Sequence, residues 1–136
     1  MYPIKRNRRL RSSEAVRSMV REHQLSPSDF IVPLFTVEGS DVKEEIASMP
    51  DYFRISLDNL KKEVQELWSM GLQTILLFVK VSDALKDNKG TEAMNPDGLM
   101  QRAIALVKET VPEMVVMTDV ALDPYSSFGH DGIVEK

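Results

Sequence analysis

The sequence predicts an α/β fold built on parallel strands, and three observations carry that expectation. Strand-like and helix-like stretches alternate from residue 30 onward. TILLFVKV, residues 74–81, is apolar almost throughout, as in a parallel strand buried on both faces. Two consecutive strand–helix–strand passages bring the joined strands parallel. The chain has 136 residues, which suggests one domain and is enough to bury a core.

The elements follow in order. Ser12, Ser13 and Glu14 lead into AVRSMVREHQL, where Ala15, Val16, Met19 and Val20 make an apolar stripe at helical spacing. Ser13 is placed to cap this helix and Pro27 to stop it. FIVPLFTV, residues 30–37, reads as a strand, although Pro33 removes a ladder donor and predicts a strand that is short or ends near it. Residues 38–55 read as irregular, punctuated by Gly39 and Pro50. After Ser56, the residues Leu57, Leu60, Val64, Leu67 and Trp68 share one face of a helix that Gly71 terminates. The strand at 74–81 follows, then the polar loop SDALKDNKGTEAM. Asn95–Pro96 is expected to open the next helix, with Leu99, Ala103, Leu106 and Val107 as its buried stripe. Pro112 separates that helix from MVVMTDV, a third strand.

No GxGxxG or other phosphate-binding glycine loop follows a strand, so a nucleotide-binding domain loses support and no organic cofactor is expected. A (β/α)8 barrel remains. A whole barrel needs roughly 250 residues, so this chain predicts an N-terminal portion of one. Residues 1–24 are expected to stand apart as an N-terminal arm, and residues 25–136 to hold the first three strands with their helices.

Composition narrows the partners. Apolar residues make up 43% and charged residues 28%, with no cysteine. That composition excludes disulfides and thiolate metal sites, and it fits a cytoplasmic protein. No apolar run approaches membrane-spanning length, so no membrane partner is expected. Residues 1–21 carry seven Lys and Arg against one acid, and the remainder ten against twenty. A basic arm on an acidic body suits either nucleic acid or an acidic neighbour of its own kind. The acidic body, and the lack of aromatics among the arm's arginines, argue against nucleic acid.

TDVALDPYSSFGHDG, residues 118–132, holds three carboxylates and a histidine. Asp119 ends the third strand, at the edge where parallel α/β folds place function. It either faces a cavity, to anchor an amine or orient a proton transfer, or caps the following loop. Asp123 and Asp131 are carboxylates of the kind that suit Mg²⁺. His130 is a candidate ligand or proton shuttle, though a loop histidine is more often neither. Pro124 and Gly129 are ordinary turn residues that also shape the loop. Lys80 at a strand end is expected to reach solvent rather than form a Schiff base. Asp83, Lys86 and Asp87 read as a solvated loop face, and His23 as a helix-terminal residue facing water or a partner.

Five stretches carry a resemblance: RRLR, LSPSDFIVPLF, SMPDYFRIS, KDNKGTEAMNPDGLMQRAI and TDVALDPYSSFGHDG. Together they resemble the N-terminal part of the 5-aminolevulinate dehydratase (porphobilinogen synthase) family over nearly the whole chain. The resemblance implies a (β/α)8 barrel that condenses two molecules of 5-aminolevulinate into porphobilinogen with loss of two waters, in tetrapyrrole and heme biosynthesis. It implies an arm that wraps a neighbouring subunit, commonly within an octamer. It places Asp119 in the active site, near a substrate amino group and the reacting carbonyl. The family's two Schiff-base lysines are expected on later strands, outside these residues, so the segment alone is expected to be inactive and poorly folded.

Zinc-dependent members carry three cysteines where this chain has Ala121, Asp123 and Asp131. The chain is therefore similar to the zinc-independent, magnesium-responsive members, with Asp123 and Asp131 as candidate metal residues and Mg²⁺ at the active site or at an allosteric interface. Phe128 stands where many relatives have histidine. The alternative reading is a non-catalytic oligomerisation or interaction module derived from a partial barrel.

Overall fold

A computed structural model describes Ile4 and residues 8–129. Its elements are helix α1 (Glu14–Met19), strands β1 (Ile31–Val37), β2 (Lys43–Glu45) and β3 (Phe53–Ile55), helix α2 (Leu57–Ser69), strand β4 (Thr74–Lys80), helix α3 (Leu99–Thr110) and strand β5 (Val115–Thr118). The three long strands expected from the sequence are β1, β4 and β5. They lie side by side and parallel, with Phe35 opposite Phe78, and Leu77 opposite Thr118.

Residues 38–55 depart from the irregular segment expected. Here β2 and β3 pair antiparallel, and β3 adds to β1 in parallel, so the sheet has five strands in the order β2-β3-β1-β4-β5. Three-residue strands are too short to show an alternating pattern; pairing with β1 creates them. Pro33 also departs from expectation, because β1 runs straight through it. The N–H and C=O of one strand residue point to the same side. The Pro33 carbonyl accepts the Tyr52 hydroxyl, so its missing donor faces the β3 side. Pairing with β3 begins only at Phe35, and no ladder bond is lost.

Both long helices pack on one face of the sheet and on each other. Leu60, Val64 and Leu67 of α2, and Leu99, Ala103 and Val107 of α3, meet Leu34, Ile75, Leu77 and Val79 in one core. Alternation therefore holds along β4, where Ile75, Leu77 and Val79 are buried and their neighbours only partly so. The apolar run is closed on one face here, not on both. Fully burying a side chain such as Leu60 or Leu77 contributes about 1.5–3 kcal/mol. Helices on a single face of sequentially ordered parallel strands suit a barrel wall. A doubly wound sheet would be covered on both sides.

The helix ends have local causes. Gly71, with φ 85°, turns the chain out of α2: its N–H reaches the Trp68 carbonyl, and the Leu72 N–H reaches that of Leu67. Asn95–Pro96 does not open α3, which starts at Leu99 behind Gly98. The Asn95 side chain instead accepts the Asp97 N–H at 3.0 Å, forming a turn ahead of the helix.

Ser13 caps α1 as expected, accepting the Val16 N–H at 3.2 Å. The helix ends at Met19, well short of Pro27, and none of its residues is buried. Met19 is 85% exposed, so the arm's apolar stripe finds no surface among the described residues. Six residues cannot sustain a long helix without such packing. No helix among the described residues is long and apolar enough to cross a membrane.

Candidate active site

The face of the sheet away from the helices carries the alternate residues. Phe35 and Phe78 stack with centroids 5.0 Å apart, and Tyr52 meets Phe35 edge-on at 5.9 Å. Toward the C-terminal ends of the strands this face opens into a cavity of about 340 Å³. Phe35, Arg54, Phe78, Lys80, Lys86, Asp119, Asp123 and Pro124 line it. Register explains the gathering: Arg54 lies opposite Phe35, which lies opposite Phe78. Lys80 ends β4, and Asp119 follows β5.

The cavity wall holds a charge network. Glu44, on β2, accepts from Lys80 Nζ at 3.0 Å and from Arg54 at 3.1 Å. The Lys80 hydrogen bond holds the Glu44 carboxyl below its usual range against the opposing effect of burial, and the charges of Lys80 and Arg54 add to this. Lys80 thus reaches solvent in part, as expected, but as the cation of an ion pair across the sheet. Lys86 pairs with Asp83 at 2.7 Å, and that hydrogen bond lowers the Asp83 carboxyl.

Asp119 and Asp123 therefore share one cavity with Lys80. Asp119 is exposed and Asp123 half-buried. Burial, followed by the charges of Glu92 and Asp119, pushes the nearby Tyr125 phenol up. Asp131 and His130 lie outside the described residues. Among the described residues no group of three or more His, Cys, Asp or Glu could hold a metal ion. Phe128 is half exposed on the same loop, and Gly129 turns with φ 60°.

Two readings of the loop residues change. Lys86 and Asp87 are not simply a solvated face: Lys86 lines the cavity, and Asp87 bonds to the loop after β5. His23 does not end a helix; it lies beyond Met19 and is exposed. The sequence reading did not single out Arg54, Glu44, Phe35 or Phe78. Phe35 and Phe78 were accessible from alternation, being next to the buried Leu34 and Leu77. Arg54 and Glu44 needed the short strands.

A helix-backed parallel sheet with charged residues converging beyond its strand ends defines a barrel-type α/β protein of the enzyme kind. The family model described as Delta-aminolevulinic acid dehydratase matches residues 4–136, and the chain belongs to that family. It is 48% identical over 130 residues to the Delta-aminolevulinic acid dehydratase of Bacillus subtilis, covering 96% of this chain and 40% of that one. It is 44% identical over 135 residues to the protein of the same name from Synechococcus elongatus, covering 99% and 41%. Among solved structures, the Toxoplasma gondii delta-aminolevulinic acid dehydratase (porphobilinogen synthase), in complex with the reaction product porphobilinogen, superposes with a TM-score of 0.89. It is 46% identical and covers 100% of this chain and 39% of its own. The chain thus spans about 40% of the length of these relatives.

Proposed function

We propose that this chain supplies the first strands of the active site of a longer polypeptide that condenses two molecules of 5-aminolevulinate into porphobilinogen. Two waters are released. The observation that carries the reading is the cavity beyond β1, β4 and β5, where Asp119 stands among Lys80, Arg54 and Phe78. Asp119 is the catalytic residue proposed here. Its carboxylate is placed to hold a substrate ammonium group, or to take and return a proton as the carbonyl condenses. Phe35 and Phe78, stacked on each other, give the cavity an apolar wall for the carbon skeleton of the forming ring.

The lysines that form Schiff bases are assigned to strands outside these 136 residues. Lys80 is a poor substitute, because its amine is engaged by the Glu44 carboxylate across the sheet. On this reading the segment alone is inactive.

Asp123 and Asp131 are the proposed metal residues. The chain has no cysteine, so its donors favour a hard cation such as Mg²⁺ over zinc. Bound by these carboxylates, the cation would offset their negative charge. Residues 1–24 are proposed as an oligomerisation arm that straps the acidic body of a second copy, in a cytoplasmic homo-oligomer of octameric type. Its basic charge and its exposed Leu10 and Met19 support that role.

The test is porphobilinogen formation from 5-aminolevulinate by the longer polypeptide and, separately, by residues 1–136. Product from the longer protein alone is expected. Product from the segment would overturn the assignment of the lysines. No product from either would leave the non-catalytic interaction module as the better reading.

A further inference from the structure

Asp87 joins two loops that both reach the cavity. Its backbone N–H donates to the Tyr125 carbonyl at 3.3 Å, and its carbonyl accepts the Ser127 N–H at 3.0 Å. These bonds form an isolated parallel bridge between Asp87 and Ser126, which ties the β4–α3 loop to the loop after β5. On one side of the bridge, Lys86 lines the cavity; on the other, Asp123 does. The Asp87 carboxylate folds its own side of the joint. It accepts the Lys89 N–H at 2.9 Å and the Thr91 N–H at 3.0 Å, closing the turn that leads to Gly90. Gly90 has φ 64°, and a Cβ there would meet Leu122 Cδ2 at 3.4 Å and the Tyr125 Cβ at 3.6 Å. The turn thus packs in van der Waals contact against Leu122 and Tyr125 of the loop that carries Asp119 and Asp123.

We infer that Asp87 is a positioning residue: by closing the 87–91 turn, its carboxylate sets where the loop from Asp119 to Gly129 sits over the cavity. An exposed aspartate that served only solubility would carry neither backbone acceptor bond. The hydroxyl and N–H of Thr91 hold the carboxyl below its usual range, as expected of a group fixed in its acceptor role. The inference rests on the proposed reading of the cavity as catalytic.

The test uses the longer polypeptide and reads kcat, KM for 5-aminolevulinate and the thermal midpoint. Misplacing a reacting group by an ångström can slow an enzyme on the order of a hundredfold, so Asp87→Ala is expected to lower kcat by roughly 10- to 100-fold. Asp87→Asn keeps the acceptor oxygen and is expected to restore most of that rate. Asp29→Ala removes a comparable side-chain bond to the Ser26 N–H, away from the cavity, and is expected to leave kcat unchanged. Where Asp87→Ala does not fold, Gly90→Ala serves, because a Cβ at its positive φ strains the 87–91 turn itself, and it too must lower kcat. An active wild type with unaltered kcat in both Asp87→Ala and Gly90→Ala overturns the inference alone, as does failure of Asp87→Asn to rescue. A wild type that forms no porphobilinogen defeats the reading of the cavity, and the inference with it.

Discussion

On one face of the sheet, Ile75, Leu77 and Val79 are shut in by α2 and α3. On the other, Phe35 and Phe78 stack beside Arg54, Lys80 and Asp119, with no helix among the described residues above them. The same strands supply both sets, one residue apart. The closed face is completed by local chain, with α2 packed on β1 and α3 on β1 and β4. The open face carries the proposed site, and Val115 and Met117 remain exposed there, at 52% and 42%. In a barrel the open face becomes the interior and the helix face the outer wall. The contrast is what a barrel wall looks like when about two fifths of the family's length is present.

The contrast predicts different penalties on the two faces of the longer polypeptide. The largest falls on chemistry. Asp119→Asn is expected to lower the rate of porphobilinogen formation by about 10²–10⁴-fold, the usual range for loss of a positioned proton-transfer group. Its thermal midpoint should hold, since exposed substitutions usually change stability by less than about 0.5 kcal/mol. A large stability loss with activity retained would place Asp119 on the structural side of the contrast.

The next effect falls on stability. Leu77→Ala opens a hole beneath α2 and α3 and is expected to cost about 2–5 kcal/mol, read by denaturant unfolding. Its active-site rate should survive wherever the protein stays folded.

A smaller effect concerns the ion pairs on the open face. The Glu44 carboxyl is held below its ordinary 4.5, chiefly by Lys80. A carboxyl lowered on folding adds stability that is complete above the ordinary value and lost as pH falls through the folded value. The gap in thermal midpoint between wild type and Glu44→Gln should therefore be present at neutral pH and close below about pH 4.5. A gap that widens on acidification would contradict the pairing. Smallest is the expected effect of zinc removal: with Ala121, Asp123 and Asp131 in place of a thiolate set, the rate of the longer polypeptide should be unchanged by a zinc-selective chelator. Restoration by zinc alone would overturn that expectation.

The long elements were legible because each is long enough to show its period. Leu60, Val64 and Leu67 recur as a helix requires, and 74–81 could be little but a strand. The β2–β3 pair was not legible, because Lys43–Glu45 and Phe53–Ile55 become strands only when β1 offers an edge. The arm helix is shorter than its stripe predicts, since that stripe implies packing that the described residues do not supply. For the site, Asp119 and Asp123 stood out through their density in TDVALDP at a strand end. Arg54 and Glu44 were hidden for the same reason as the strands that carry them. Asp87 was read as solvated because sequence cannot show that its backbone reaches Tyr125 and Ser127, almost forty residues on.

The central claim is that the open face, and not the helix side, is where substrate is handled. The most direct test is a crystal structure of the longer polypeptide with porphobilinogen bound. The account predicts product over Phe35 and Phe78, within hydrogen-bonding reach of Asp119. Product bound away from this face, with Asp119 remote from it, would contradict the account.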